Sequence, residues 1–81
     1  MLTDTFLRSL KPADKPKKYA DGGGLFIYVS TTGSKLWRMA YRSNMKSKLL
    51  SFGEYPLVSL KEAREQRDEA KKLLAKDIDP G

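Results

Sequence analysis

Eighty-one residues make one small domain, which buries only about 60–65% of the surface its unfolded chain exposes. With no cysteine and no histidine, the chain has no disulfide, no thiolate metal site and no neutral-pH imidazole proton shuttle, while 40% apolar residues set it apart from a disordered tail. Its net charge of +6 is unevenly spread: residues 1–48 hold ten Lys/Arg against three Asp/Glu, and residues 49–81 hold six against seven, an asymmetry that points to a polyanionic partner engaged by one face.

Residues 3–10, TDTFLRSL, open with cap-type residues and set Phe6, Leu7 and Leu10 at helical spacing, which predicts a short helical turn. KPADKPKKYAD follows, and its two prolines and four lysines read as an irregular basic segment. LFIYVS at 25–30 is a strand, TTGS at 31–34 a glycine-containing hairpin turn, and KLWRMAYR at 35–42 an alternating strand. SNMK at 43–46 is a second turn, and SKLLSF at 47–52 a third strand ending at Gly53. After GEYPLV, Ser59 and Glu62 form a capping box for a helix over 59–77, with an apolar stripe of Leu60, Ala63, Ala70, Leu73 and Leu74. Arg64–Asp68 and Asp68–Lys72 have the i,i+4 spacing of helix ion pairs, and Pro80 cannot continue the helix. The expected fold is α+β, a three-stranded antiparallel sheet packed against a C-terminal helix in the order β-β-β-α. It forms a single domain over 1–81, with an N-terminal extension at 1–24, the sheet at 25–53 and the start of a linker at 78–81. No apolar run approaches the ~20 residues of a membrane span, and MLTDTFLRSLK lacks the apolar centre of a secretory signal, so an intracellular protein is expected.

Three glycines, Gly22–Gly24, precede the first of these strands. A phosphate-cradling loop needs a helix N-terminus after it, where free N–H groups and the dipole face the anion. Here a strand follows, without GK[ST] or GxGxxG, so these glycines are read as letting the chain turn into the sheet.

Parity divides the sheet. Leu25, Ile27, Val29, Trp37, Met39, Tyr41, Leu50 and Phe52 form the face that packs on the helix. The other face carries Phe26, Tyr28, Ser30, Leu36, Arg38, Ala40, Arg42, Leu49 and Ser51, with Lys35, Lys46 and Lys48 at strand ends around it. Arginine forks onto guanine edges or phosphates, hydroxyls bond phosphates, and a narrow sheet fits the major groove. The candidate DNA-binding residues are therefore Tyr28, Ser30, Lys35, Arg38, Arg42, Lys46 and Lys48. The plainer alternative is that Arg38 and Arg42 only solvate an open sheet. Trp37 is read as a core anchor. The helix exposes Glu62, Glu65, Asp68 and Glu69, which phosphates would repel, so it is read as scaffold.

The motifs L-T-D, K-P, D-G-x-G-L, G-x-K-x-W-R-x-x-Y-R, G-x-Y-P-x-x-S-L-x-x-A-R and D-P-G, in this order over nearly the whole chain, resemble the N-terminal arm-type DNA-binding domain of phage and genomic-island integrases, tyrosine recombinases of the satellite-phage type. The resemblance implies a sheet face in the major groove of double-stranded arm-type sites, with Trp37 in the core and Arg38 and Arg42 towards the groove. It implies self-association with other integrase protomers and a DNA-associated place in the bacterial cytoplasm. It also implies glycine where Asn44-Met45 stands and near Asp77, at which this chain departs. The recombinase chemistry, a tyrosine nucleophile with arginine and histidine, belongs outside these residues, so no catalytic, cofactor, metal or small-molecule site is expected here. Two other readings stay open from the residues alone: a module for structured RNA, and a protein-interaction or multimerisation domain using the mixed-charge helix.

Overall fold

The computed structural model describes residues 2–80. Its elements in chain order are α1 (Asp4–Ser9), β1 (Lys17–Gly22), β2 (Leu25–Val29), β3 (Lys35–Ser43), β4 (Lys46–Glu54) and α2 (Leu60–Ala75). The strands form one antiparallel meander in the order β1-β2-β3-β4. The expected α+β class and C-terminal helix stand, but the sheet has four strands and not three.

The additional strand lies inside the segment read as basic and irregular, and inside the expected extension at 1–24. It begins directly after Pro16 and pairs Lys17 with Val29 and Tyr19 with Ile27. A polar edge strand needs hydrogen bonds along only one side and few apolar side chains. Of its inward-facing residues, Tyr19 is half-buried and Asp21, at a bulge, is a buried carboxylate. An inward acid breaks the apolar alternation by which a strand is normally recognised.

Gly23 and Gly24 form the β1–β2 turn. Gly24 has φ +88, and a Cβ there would lie 2.4 Å from the Ala40 carbonyl oxygen. Its own carbonyl accepts from the Ala40 N–H at 2.9 Å, so the glycine is required by this close approach of β2 to β3. The β2–β3 turn is closed by Ser30, whose N–H donates to the Ser34 carbonyl at 2.9 Å. The β3–β4 turn has two central residues at positive φ, Asn44 (51) and Met45 (63). This is the type I′ geometry whose twist matches the flanking strands.

The core lies between the sheet and α2, and the N-terminal segment closes it. Leu25, Ile27, Trp37 and Met39 are buried, and so are Ala63 and Ala70 of α2. Leu2 and Leu7 are buried in the same core. Trp37 donates from Nε1 to the Val58 carbonyl at 2.8 Å and meets Tyr55 edge to face at 6.3 Å. A bulge in β4 sets Gly53 opposite Trp37, and a Cβ on Gly53 would fall 2.7 Å from Val58 Cγ2. The indole is thus held by a loop that only glycine lets approach.

Thr3 caps α1 by accepting from the Phe6 N–H at 3.2 Å. Ser59 caps α2 by accepting from the Glu62 N–H at 3.1 Å, a contact worth about 1 kcal/mol. At the other end of α2, the Ile78 N–H donates to the Leu73 carbonyl at 2.8 Å and the Asp77 N–H to the Leu74 carbonyl at 3.0 Å. With Asp77 at φ 59 this is a Schellman motif. Beyond it, Asp79 accepts from the Tyr41 hydroxyl at 2.8 Å and pairs with Lys48. The expected linker start thus folds back onto the β3–β4 hairpin through Asp79, while Gly81, its last residue, lies outside the described residues.

Candidate nucleic-acid interface

The helix covers one side of the sheet and leaves the other open. Register puts Lys18 beside Tyr28, Phe26 beside Arg38, Arg38 beside Ser51, Ala40 beside Leu49 and Arg42 beside Ser47. These residues share the face opposite Trp37 and Met39, because side chains alternate along each strand.

Two cations on this face lie over aromatic rings. The Arg38 guanidinium stands 4.7 Å from the Tyr28 ring centroid, and Lys18 Nζ stands 5.5 Å from that of Phe26. This cation–π contact positions the guanidinium without consuming its N–H donors, which stay available to a forked acceptor such as a guanine edge or a phosphate. Arg42 is exposed further along the same strand. Lys18, in the strand that the sequence pattern hid, was not among the expected contacts. The pairing of β1 with β2 is what brings it to this face.

The other expected contact residues lie around the face. Ser30 is half-buried, and its hydroxyl accepts from the Ser34 N–H at 3.1 Å and lies 2.9 Å from Thr32 Oγ1, so it shapes the turn. Lys35, Lys46 and Lys48 have the parity of Trp37 and Tyr41. Lys35 Nζ donates to the Leu7 carbonyl at 2.7 Å and lies 5.7 Å from the Tyr55 ring centroid. Lys48 pairs with Asp79. That hydrogen bond raises the Lys48 pKa, and the bond from the Tyr41 hydroxyl to the same carboxylate raises that of Tyr41. Lys46 is exposed beside the β3–β4 turn. Tyr28, Arg38 and Arg42 thus gather on the open face, while the lysines approach it from the sheet's ends and from its other side.

On the helix side the electrostatics are different. Glu62, Glu65 and Glu69 line a groove of about 690 Å³ between α2 and β4, above Leu50 and Phe52. Arg64 and Arg67 turn inward to Asp21. Arg64 donates from Nε at 2.9 Å and from Nη2 at 2.8 Å, and Arg67 donates from Nη1 at 3.3 Å. Leu2 N–H donates to the same carboxylate at 2.8 Å, and the Leu2 carbonyl accepts from Arg64 at 2.9 Å. The Arg64 hydrogen bond, aided by that from Leu2 and by the charges of both arginines, holds the Asp21 pKa below the usual carboxylate value against the opposing effect of burial. Arg64 was expected to pair with Asp68 along the helix; Asp68 is instead bonded by the Arg67 Nε at 3.1 Å. With both of its arginines drawn inward, the side of α2 that borders this groove is lined by acids and ill-suited to a phosphate backbone, while Lys61, Lys71 and Lys72 are exposed elsewhere on the helix.

The comparisons with known proteins agree with one another. The Arm DNA-binding domain family matches residues 2–81. The chain is 55% identical over 76 residues to the integrase of Enterobacteria phage P4, covering 91% of this chain and 17% of that protein. It is 47% identical over 81 residues to the prophage integrase IntA of Escherichia coli K12, covering 98% and 20%. It is 41% identical over 80 residues to the integrase of Shigella phage Sf6, covering 99% and 21%. The chain therefore spans about a fifth of the length of the relatives it matches.

Proposed function

Because this chain belongs to the Arm DNA-binding domain family, we propose that it binds arm-type duplex DNA within an integrase, with the open face of its sheet in the major groove. The observation that carries this reading is the gathering of cations on the one sheet face that the helix leaves open. Arg38, over the Tyr28 ring, stands with Arg42 and Lys18 on the open face, while Glu62, Glu65 and Glu69 line the helix side. In this reading Arg38 and Arg42 fork onto bases or phosphates and Tyr28 supplies a hydroxyl. Lys46, exposed beside the β3–β4 turn, reaches the backbone at the edge of the groove, whereas Ser30, Lys35 and Lys48, which the sequence also offered, are engaged within the fold.

The remaining four-fifths of such a protein would supply the recombination chemistry, as a tyrosine recombinase in the bacterial cytoplasm. The acidic groove between β4 and α2 supports a second role, self-association with the basic half of a neighbouring protomer. Sedimentation on duplexes carrying one and two sites tests that role; strictly independent occupancy of the two sites would remove it.

Mobility-shift titration of the 81-residue chain with duplex DNA, duplex RNA and single strands tests the main reading. Duplex DNA is expected to bind tightest, with log K falling by about 0.9 for each phosphate neutralised as log salt rises. Preference for duplex RNA would transfer the function to the RNA reading, and salt-independent binding would remove phosphate contact altogether.

A further inference from the structure

The open face is not uniformly polar. Between Arg38 and Arg42, Ala40 and Leu49 stand directly opposite each other on β3 and β4. Leu49 is 58% exposed, and Ala40 is exposed as well. A hollow of about 530 Å³ lies here, and four of its lining residues, Ala40, Arg42, Ser47 and Leu49, have the open-face parity. The two aromatic rings of this face are covered by cations: Phe26 lies under Lys18 and Tyr28 under Arg38. An exposed leucine facing an alanine, set between two arginines, is a poor surface for phosphate and a good one for an apolar group carried on an anionic polymer. In the major groove that group is the thymine C5-methyl, which small apolar side chains contact.

We infer that the Ala40–Leu49 hollow receives a thymine methyl, so that the domain selects thymine between the positions engaged by Arg38 and Arg42. Arg38 and Arg42 are four residues apart on one strand, about 13–14 Å, which corresponds to about four base pairs at 3.4 Å each. Ala40, halfway between them, sets the methyl contact near the middle of that span. The inference rests on the reading of the sheet face as the DNA surface and adds a chemical group to it.

The test begins by selecting a preferred duplex from a random library with the 81-residue chain. Each thymine is then replaced in turn by deoxyuracil, which removes the methyl and leaves every hydrogen-bonding group in place. One replacement is expected to weaken binding about three- to tenfold, the size for desolvating one methyl group. Leu49→Ala should bind the thymine and uracil duplexes alike, at the level of the unaltered protein on uracil; with Leu49 so exposed, the substitution leaves the core intact. A selected site without thymine, or one in which every thymine tolerates uracil while binding still depends on Arg38 and Arg42, overturns this inference and leaves the sheet-face reading standing. Binding that is indifferent to Arg38 and Arg42 overturns both.

Discussion

At the scale of single residues, Arg38 and Trp37 are neighbours in sequence with opposite duties, because a strand turns successive side chains to opposite faces. Trp37 is wholly buried, bonded to Val58 and packed on Tyr55. Trp37→Ala is expected to destabilise the fold by about 3–5 kcal/mol, read as a lowered urea midpoint. A variant that kept its midpoint and lost only DNA affinity would move the indole from the core to the interface. Arg38→Ala and Arg42→Ala should leave the midpoint unchanged and each cost about 1–3 kcal/mol of DNA affinity where the side chain forks onto a base. Near-normal affinity in both variants would reject the sheet-face assignment. Two further residues sit in backbone conformations that suit glycine better: Met45 at φ 63, almost fully exposed, and Asp77 at φ 59. Met45→Gly and Asp77→Gly are each expected to stabilise by up to about 1 kcal/mol, since the left-handed region burdens a residue with a Cβ. That corresponds to a thermal midpoint raised by several degrees in a domain of this size, and a lowered midpoint in calorimetry would contradict it.

At the scale of elements, the edge strand β1 and the helix α2 are joined by a charge cluster more than by apolar packing. Asp21 has no exposed side-chain surface, while Arg64 and Arg67 remain partly exposed. Removing the carboxylate takes away the ion partner of Arg64 and one of the two of Arg67 and frees the Leu2 N–H, so Asp21→Ala should cost about 3 kcal/mol, near the lower end for breaking a buried pair. The folded pKa of Asp21 lies below its unfolded value. Its contribution is therefore fully present above about pH 4, the unfolded carboxylate value, and is lost as pH falls through the depressed folded value. Thermal midpoints measured between pH 7 and pH 2 should fall less steeply at the acid end for Asp21→Asn than for the unaltered protein. Parallel curves would show that the pair is not what acid disrupts.

At the scale of the whole molecule, the fold separates two electrostatic surfaces by the thickness of a sheet. The open face gathers Lys18, Arg38 and Arg42, and the acidic groove beside α2 lies on the other side. This separation predicts where backbone amide signals move when an oligonucleotide is added. Shifts should cluster in 17–20, 26–30 and 36–51 and spare the outer side of 60–76. The reverse pattern would assign DNA to the helix and dismantle the proposed interface.

Much of this molecule was legible in its residues. The alternation in β2 and β3, the Ser59–Glu62 cap and the apolar stripe of α2 are local periodicities that pick out buried faces without reference to the rest of the chain. They were enough to place Trp37 in the core and Arg38 and Arg42 on the opposite face. The family motifs rest on the same positions. What local periodicity cannot express is a partner far along the chain. β1 is a strand because β2 offers it an edge, and Asp21 can be buried because Arg64, 43 residues away, reaches it. Lys35 and Lys48 face Leu7 and Asp79 for the same reason. Charged side chains carry no periodic sign of the ion that will neutralise them, so only the tertiary arrangement decided which cations would serve the fold and which would stand on the open face.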